Sequence, residues 1–133
     1  MKRQDIRDSA FKIIFESLLR NDSIEELYAL ADDADEIVVN DKVKEIVEGT
    51  LANREKINEM IQLYSTKRNV DRIAKINLAI LQIAFYEIMF DDLTPANAAI
   101  SEAVHLAETY AYEQDISFIN GILGAYSKSL ENK

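Results

Sequence analysis

"VDRIAKINLAILQIAFYEIMF", residues 70–90, decides the fold class. Fifteen of its twenty-one residues are apolar, and they wrap nearly every side of a 3.6-residue period. Such a helix belongs at the centre of a helical core. Asp71, Arg72, Lys75 and Glu87 interrupt the run, and no window of the chain approaches ~18 uninterrupted apolar residues, so it does not read as a membrane span. Glu87, near its end, reads as a carboxylate that satisfies a hydroxyl or a backbone group.

Working outward, the flanking segments are helical too. "STKRN", residues 65–69, breaks the chain before this helix, and Asn69 is placed to cap it. A third helix is expected from Asn40 or Asp41 to about Leu63, with Val43, Ile46, Val47, Ile57, Met60 and Ile61 inward. The first helix covers residues 4–19 and buries Ile6, Ala10, Ile13, Ile14 and Leu18. Between them, Ser23 and Glu26 form a capping-box pattern that starts a short second helix. "ADDADE", residues 31–36, follows as an acidic connector and lacks the glycine and ligand spacing of a calcium loop. Downstream, Thr94-Pro95 reads as an N-cap with proline at N1. It opens a fifth helix with Ala96, Ile100, Ala103, Ala107 and Tyr110 in register, and a sixth begins near Asp115.

That last helix contains Asn120-Gly121, a turn signal. Phe118, Ile119, Ile122, Leu123 and Tyr126 nevertheless keep helical spacing across it, so the helix is expected to run through. A helical glycine costs about 1 kcal/mol relative to alanine. A structural role is therefore expected for both residues, Gly121 admitting a neighbouring helix and Asn120 bonding a loop or helix end.

At 133 residues, 48% apolar, with one Pro and three Gly, the chain suits one all-α domain over residues 1–133, a bundle of six to seven helices. There is no cysteine, hence no thiolate nucleophile and no cysteine zinc site. His105 is the single histidine and lies off its helix's apolar stripe. Phosphate-loop, dinucleotide and nucleophile-elbow motifs do not occur. The reading is a non-enzyme with no metal and no cofactor. The N-terminus has no signal-peptide core, so a soluble cytoplasmic chain is expected.

Charge points to a partner. The net charge is −9, but it is unevenly spread. Residues 1–20 carry +2, residues 21–48 carry −8, residues 49–75 carry +3 and residues 76–133 carry −6. Local field, not total charge, governs association with phosphate. Lys2, Arg3 and Arg7 cluster at the start of the chain. Lys67, Arg68, Arg72 and Lys75 crowd the approach to the core helix, with Tyr64 just before them. Cations beside an aromatic ring can hold the phosphates and stack a base of single-stranded RNA. The expectation is that the two groups meet beside Tyr64.

Several motifs then appear in order: Tyr64, "DRIAK" at 71–75, "AILQIAFYE" at 79–87, "AISEAVHLA" at 99–107 and "FINGIL" at 118–123, with "IRDSAFKIIF" at 6–15. Together they resemble the NusB family over nearly the whole chain. The resemblance implies a helical fold of two three-helix-like halves. It also implies transcription antitermination: binding the boxA RNA of nascent ribosomal RNA jointly with NusE, a small-subunit ribosomal protein, within the RNA polymerase complex with other Nus factors, and support of rRNA maturation. Family RNA contacts map onto the eight residues already named, Lys2, Arg3, Arg7, Tyr64, Lys67, Arg68, Arg72 and Lys75. Contacts to NusE map onto Asn77 and Gln82 in the core helix and onto Glu113, Gln114 and Phe118. This chain departs from the family pattern with Asn77 for a common acid, Gln82 for a frequent arginine, and Asp5 and Asp8 diluting the basic N-terminus. Two other readings compete: a stand-alone relative of the helical domain of rRNA cytosine methyltransferases, and a helical scaffold that binds only protein.

Overall fold

A computed structural model describes residues 3–34 and 37–131. In chain order the helices are α1 (Arg3–Leu19), α2 (Ile24–Asp32), α3 (Asp41–Ala52), α4 (Arg54–Tyr64), α5 (Lys75–Phe90), α6 (Ala96–Tyr110) and α7 (Glu113–Glu131), with a 3-10 turn at Val70–Arg72. Among the described residues there is no strand. The expected all-α architecture is what forms.

Helix α5 is the axis of the fold. Every residue from Asn77 to Phe85 is buried, and α1, α3, α4, α6 and α7 all pack against it. Helices α2 and α3 each pack on α1, while α6 and α7 pair with α5 and α4 bridges to α7. One apolar cluster takes residues from all seven helices, among them Ile14, Leu27, Val47, Ile61, Phe85, Ala107 and Leu123.

Local chemistry starts the helices where it was expected to. The Ser23 hydroxyl accepts from the Glu26 N–H at 3.2 Å, and the Glu26 carboxylate accepts from the Ser23 N–H at 3.1 Å. Asn40 accepts from the Val43 N–H at 2.9 Å. Both arrangements satisfy N–H groups that a helix start leaves open.

Three boundaries differ from expectation. The long third helix is two helices, α3 and α4, divided at Asn53. Its side-chain amide donates to the Gly49 carbonyl at 2.8 Å, a local bond that competes with the helical ladder. The core helix starts at Lys75 instead of Val70, because Ile73 is extended, with φ −72° and ψ 131°. Val70 and Ile73 still both face the core, three residues apart across the tighter turn. At α6 the N-cap is Pro95, not Thr94; the Thr94 hydroxyl donates instead to Asp91 at 2.7 Å, and the Leu93 N–H donates to Asp91 at 3.0 Å.

Helix α7 does run unbroken through Asn120-Gly121. The expected reason for the glycine is wrong. Both residues are exposed, and a Cβ built on Gly121 meets nothing within 4 Å. The glycine that permits close packing is Gly49, where a Cβ would run into the Tyr86 ring.

Candidate nucleic-acid interface

The two basic groups lie at opposite ends of α5. Arg7 is 3% exposed, and its guanidinium grips the Glu87 carboxylate, Nε at 2.9 and 3.0 Å and Nη2 at 2.5 Å. Burial opposes the charge on Arg7, but the bond and attraction of Glu87, helped by Glu102 and Asp91, outweigh it and raise the pKa. Arg7 is therefore a core ion pair and presents no guanidinium to a phosphate. Arg3 is exposed and donates to the Thr94 hydroxyl at 3.3 Å. Around them Lys42, Glu45, Asp91 and Leu93 complete a groove lined by both charge signs. Lys2 lies outside the described residues. Twelve residues of α5 separate Glu87 from Lys75, about 18 Å of helix at 1.5 Å per residue. The meeting of the two groups beside Tyr64 does not occur.

Tyr64 is committed elsewhere as well. Its hydroxyl donates to Ser129 at 2.9 Å, and its ring packs on Tyr126 at 5.3 Å between centroids. Tyr126 in turn stacks on Phe85 at 4.7 Å. This column ties α4 to α7 and α5, and a half-buried ring so placed is poorly available to a base.

The other basic group is open. Lys67, Arg68, Arg72 and Lys75 are all exposed. The Arg68 guanidinium lies over the Phe118 ring, 4.6 Å from its centroid, a cation–π geometry. Phe118, expected on the protein-partner surface, is the ring that Arg68 covers.

The loop itself is internally bonded. Gln62 and Ser65, which the sequence reading passed over, bond its backbone, and Asn69, expected to cap the core helix, caps the 3-10 turn instead, accepting from the Asp71 N–H at 3.1 Å. The only sequence sign of this was a run of short polar residues after a helix end.

Beside this patch lies a groove of about 390 Å³ lined by Phe15, Lys75, Ile76, Asn77, Tyr110 and Asp115, among others. Asn77 is 1% exposed, and its side-chain nitrogen has no hydrogen-bond partner. Helix α5 begins here without a side-chain cap, leaving first-turn N–H groups open. Gln82, also expected to meet a partner, is 0% exposed. It donates to Asn58 at 2.9 Å and accepts from Arg54 at 3.3 Å, so it belongs to the interior. Glu113 and Gln114 are exposed at the start of α7.

No group of three or more His, Cys, Asp or Glu side chains among the described residues could hold a metal ion. His105 is exposed. Among the described residues, no helix is long and apolar enough to cross a membrane.

Comparison with known proteins shows the family and the fold. The family model described as the NusB family matches residues 4–128. The transcription antitermination protein NusB of Clostridium acetobutylicum is 36% identical over 135 residues, covering 100% of both chains. That of Acetivibrio thermocellus is 38% identical, covering 96% of this chain and 90% of the relative. Among solved structures, NusB of T. maritima superposes with a TM-score of 0.82 at 28% identity, covering 96% of this chain and 92% of that one. A chain in a complex of antitermination factors NusB and NusE with dsRNA gives 0.84 at 25% identity and 96% coverage of each.

Proposed function

The chain belongs to the NusB family, and from that membership we propose that it acts in transcription antitermination by binding boxA RNA of nascent ribosomal RNA together with NusE. It works by association within the RNA polymerase antitermination complex, in the cytoplasm, without turnover. The observation that carries this reading is the exposed quartet Lys67, Arg68, Arg72 and Lys75 on the approach to α5, with Arg68 lying over the Phe118 ring.

Each exposed cation can neutralise one phosphate and release its counterion. An unstacked base lies against the Arg68–Phe118 pair, since both guanidinium planes and aromatic rings serve as stacking surfaces for single-stranded RNA. Residues 21–48, by contrast, carry a charge of −8. Phosphate is thereby discouraged from that segment.

NusE is assigned to the neighbouring groove. Its apolar walls, Phe15, Ile76 and Tyr110, suit an apolar side chain of a protein partner. The unpartnered Asn77 nitrogen and the uncapped start of α5 suit a carbonyl or carboxylate of the same segment. An acid at position 77 would reject such an acceptor; asparagine welcomes it. Glu113 and Gln114 stand at the rim. Lys75 borders both the groove and the quartet, so protein and RNA share a continuous surface. Of the expected RNA contacts, Lys67, Arg68, Arg72 and Lys75 are retained.

Titration of single-stranded boxA RNA with and without NusE, across a salt series, tests the proposal. Binding is expected to tighten with NusE, and log affinity to fall with log salt at roughly 0.7 per phosphate neutralised. Affinity indifferent to salt would remove the reading.

A further inference from the structure

We propose that Gln62 and Ser65 are positioning residues for RNA, holding the loop that carries Lys67 and Arg68 in its binding shape before RNA arrives. The proposal rests on the RNA reading above and goes beyond it, since neither side chain carries charge or meets phosphate in its argument.

The loop is held from outside its own tip. Thr66, Lys67, Arg68 and Asn69 are all exposed, so burial does little to order them. Gln62, in the last turn of α4, reaches across instead. Its amide nitrogen donates to the carbonyls of Ser65 and Arg68, each at 3.3 Å. Its amide oxygen accepts from the Val70 N–H at 2.8 Å. Only one orientation of the amide satisfies all three, because the reverse would face oxygen to two carbonyls and nitrogen to an N–H. Ser65 is 3% exposed and donates its hydroxyl to the same Arg68 carbonyl at 2.7 Å.

The Arg68 carbonyl thus receives two side-chain donors. Fixing that peptide fixes where the Arg68 side chain leaves the backbone, and the guanidinium then falls on the Phe118 ring at 4.6 Å. Farther along, Asn69 closes the turn through the Asp71 N–H at 3.1 Å, and the Arg72 N–H returns to the Asn69 carbonyl at 2.8 Å. A loop ordered in the free protein binds without the conformational entropy loss that a mobile loop suffers on association. An uncharged helix-end glutamine therefore sets affinity through the cations it places.

Three variants decide this: Gln62→Ala, Ser65→Ala and Lys67→Ala, each titrated with fluorescent boxA RNA and NusE over a salt series. Hydrogen exchange at the Val70 amide is followed alongside. Gln62→Ala and Ser65→Ala are expected to weaken binding about fivefold, the equivalent of one lost ordering contact. Their log–log salt slope is expected to stay that of the parent, because every phosphate contact is still made once RNA is bound. Lys67→Ala is expected to reduce the slope by about 0.7. Val70 exchange should quicken in Gln62→Ala while α5 amides keep their protection.

Parent-like affinity in Gln62→Ala, alongside a reduced slope in Lys67→Ala, overturns the positioning role and leaves the RNA reading standing. A slope changed by Gln62→Ala also overturns it, since the glutamine would then be a direct RNA contact. If Lys67→Ala alters neither affinity nor slope, the RNA surface fails and the positioning role with it. Gln62 is exposed, so its variant keeps the fold should Ser65→Ala disturb it.

Discussion

At one end of α5 an arginine is swallowed; at the other, four cations stand in water. Arg7 and Glu87 are both nearly inaccessible and pair with one another, whereas Lys67, Arg68, Arg72 and Lys75 are exposed, Arg68 lying over the Phe118 ring. Both ends carry basic residues, and their surroundings diverge. A buried arginine beside a carboxylate is a structural pair whose net worth is small, but whose halves are intolerable alone. An exposed cation adds little to stability and remains free to meet an outside charge. In this chain, then, basic character marks a candidate phosphate-binding surface only where the opposite charge has not folded onto it.

The sharpest way to break this comparison is Arg7→Ala. It strands the Glu87 carboxylate, and equilibrium urea unfolding should show a loss of about 3–5 kcal/mol. The paired replacement Arg7→Met with Glu87→Leu should recover most of it. An Arg7→Ala protein of unchanged stability but weakened RNA binding would reverse the assignment of the two ends. Next, replacing the whole quartet with glutamine should lower the RNA salt slope by roughly three, at about 0.7 per phosphate. Its unfolding free energy should move by no more than about 0.5 kcal/mol per site.

Smaller effects sharpen the open end. Phe118→Ala should weaken RNA binding by about 1–3 kcal/mol in the same titration, the worth of a stacked base. Tyr64→Phe, losing only the bond to Ser129, should cost about 1 kcal/mol of stability and leave RNA affinity alone. Equal losses of RNA binding in both variants would return Tyr64 to the interface. Smallest of all, Gly121→Ala should raise the thermal midpoint, by roughly 0.5–1 kcal/mol of added stability, because its Cβ enters open space.

How much of this was legible depended on how far apart the deciding groups lie in the chain. Caps at Ser23 and Asn40 could be read because acceptor and N–H are within three residues. Helix α7 could be read through its glycine because the apolar spacing on either side stayed in phase. The break at Asn53 was hidden for a similar reason: the inward face keeps its rhythm from Val43 and Val47 to Ile57 and Ile61, so periodicity alone joins two helices into one. Arg7 was opaque because it borders the α1 stripe, where a side chain can turn either inward or outward, and its partner comes 80 residues later. Gln82 misled in the same manner, its partners Asn58 and Arg54 lying 24 and 28 residues away.

From sequence alone came the helical class, the central helix, most helix starts and the basic approach to α5, all properties of side-chain period and short-range hydrogen bonding. Tertiary packing alone decided which cations stay exposed, which aromatic ring Arg68 covers, and which buried polar residue lines a groove. Those outcomes depend on what residues distant in the chain bring to the same point, and a charge or a ring carries no local mark of the neighbour it will meet.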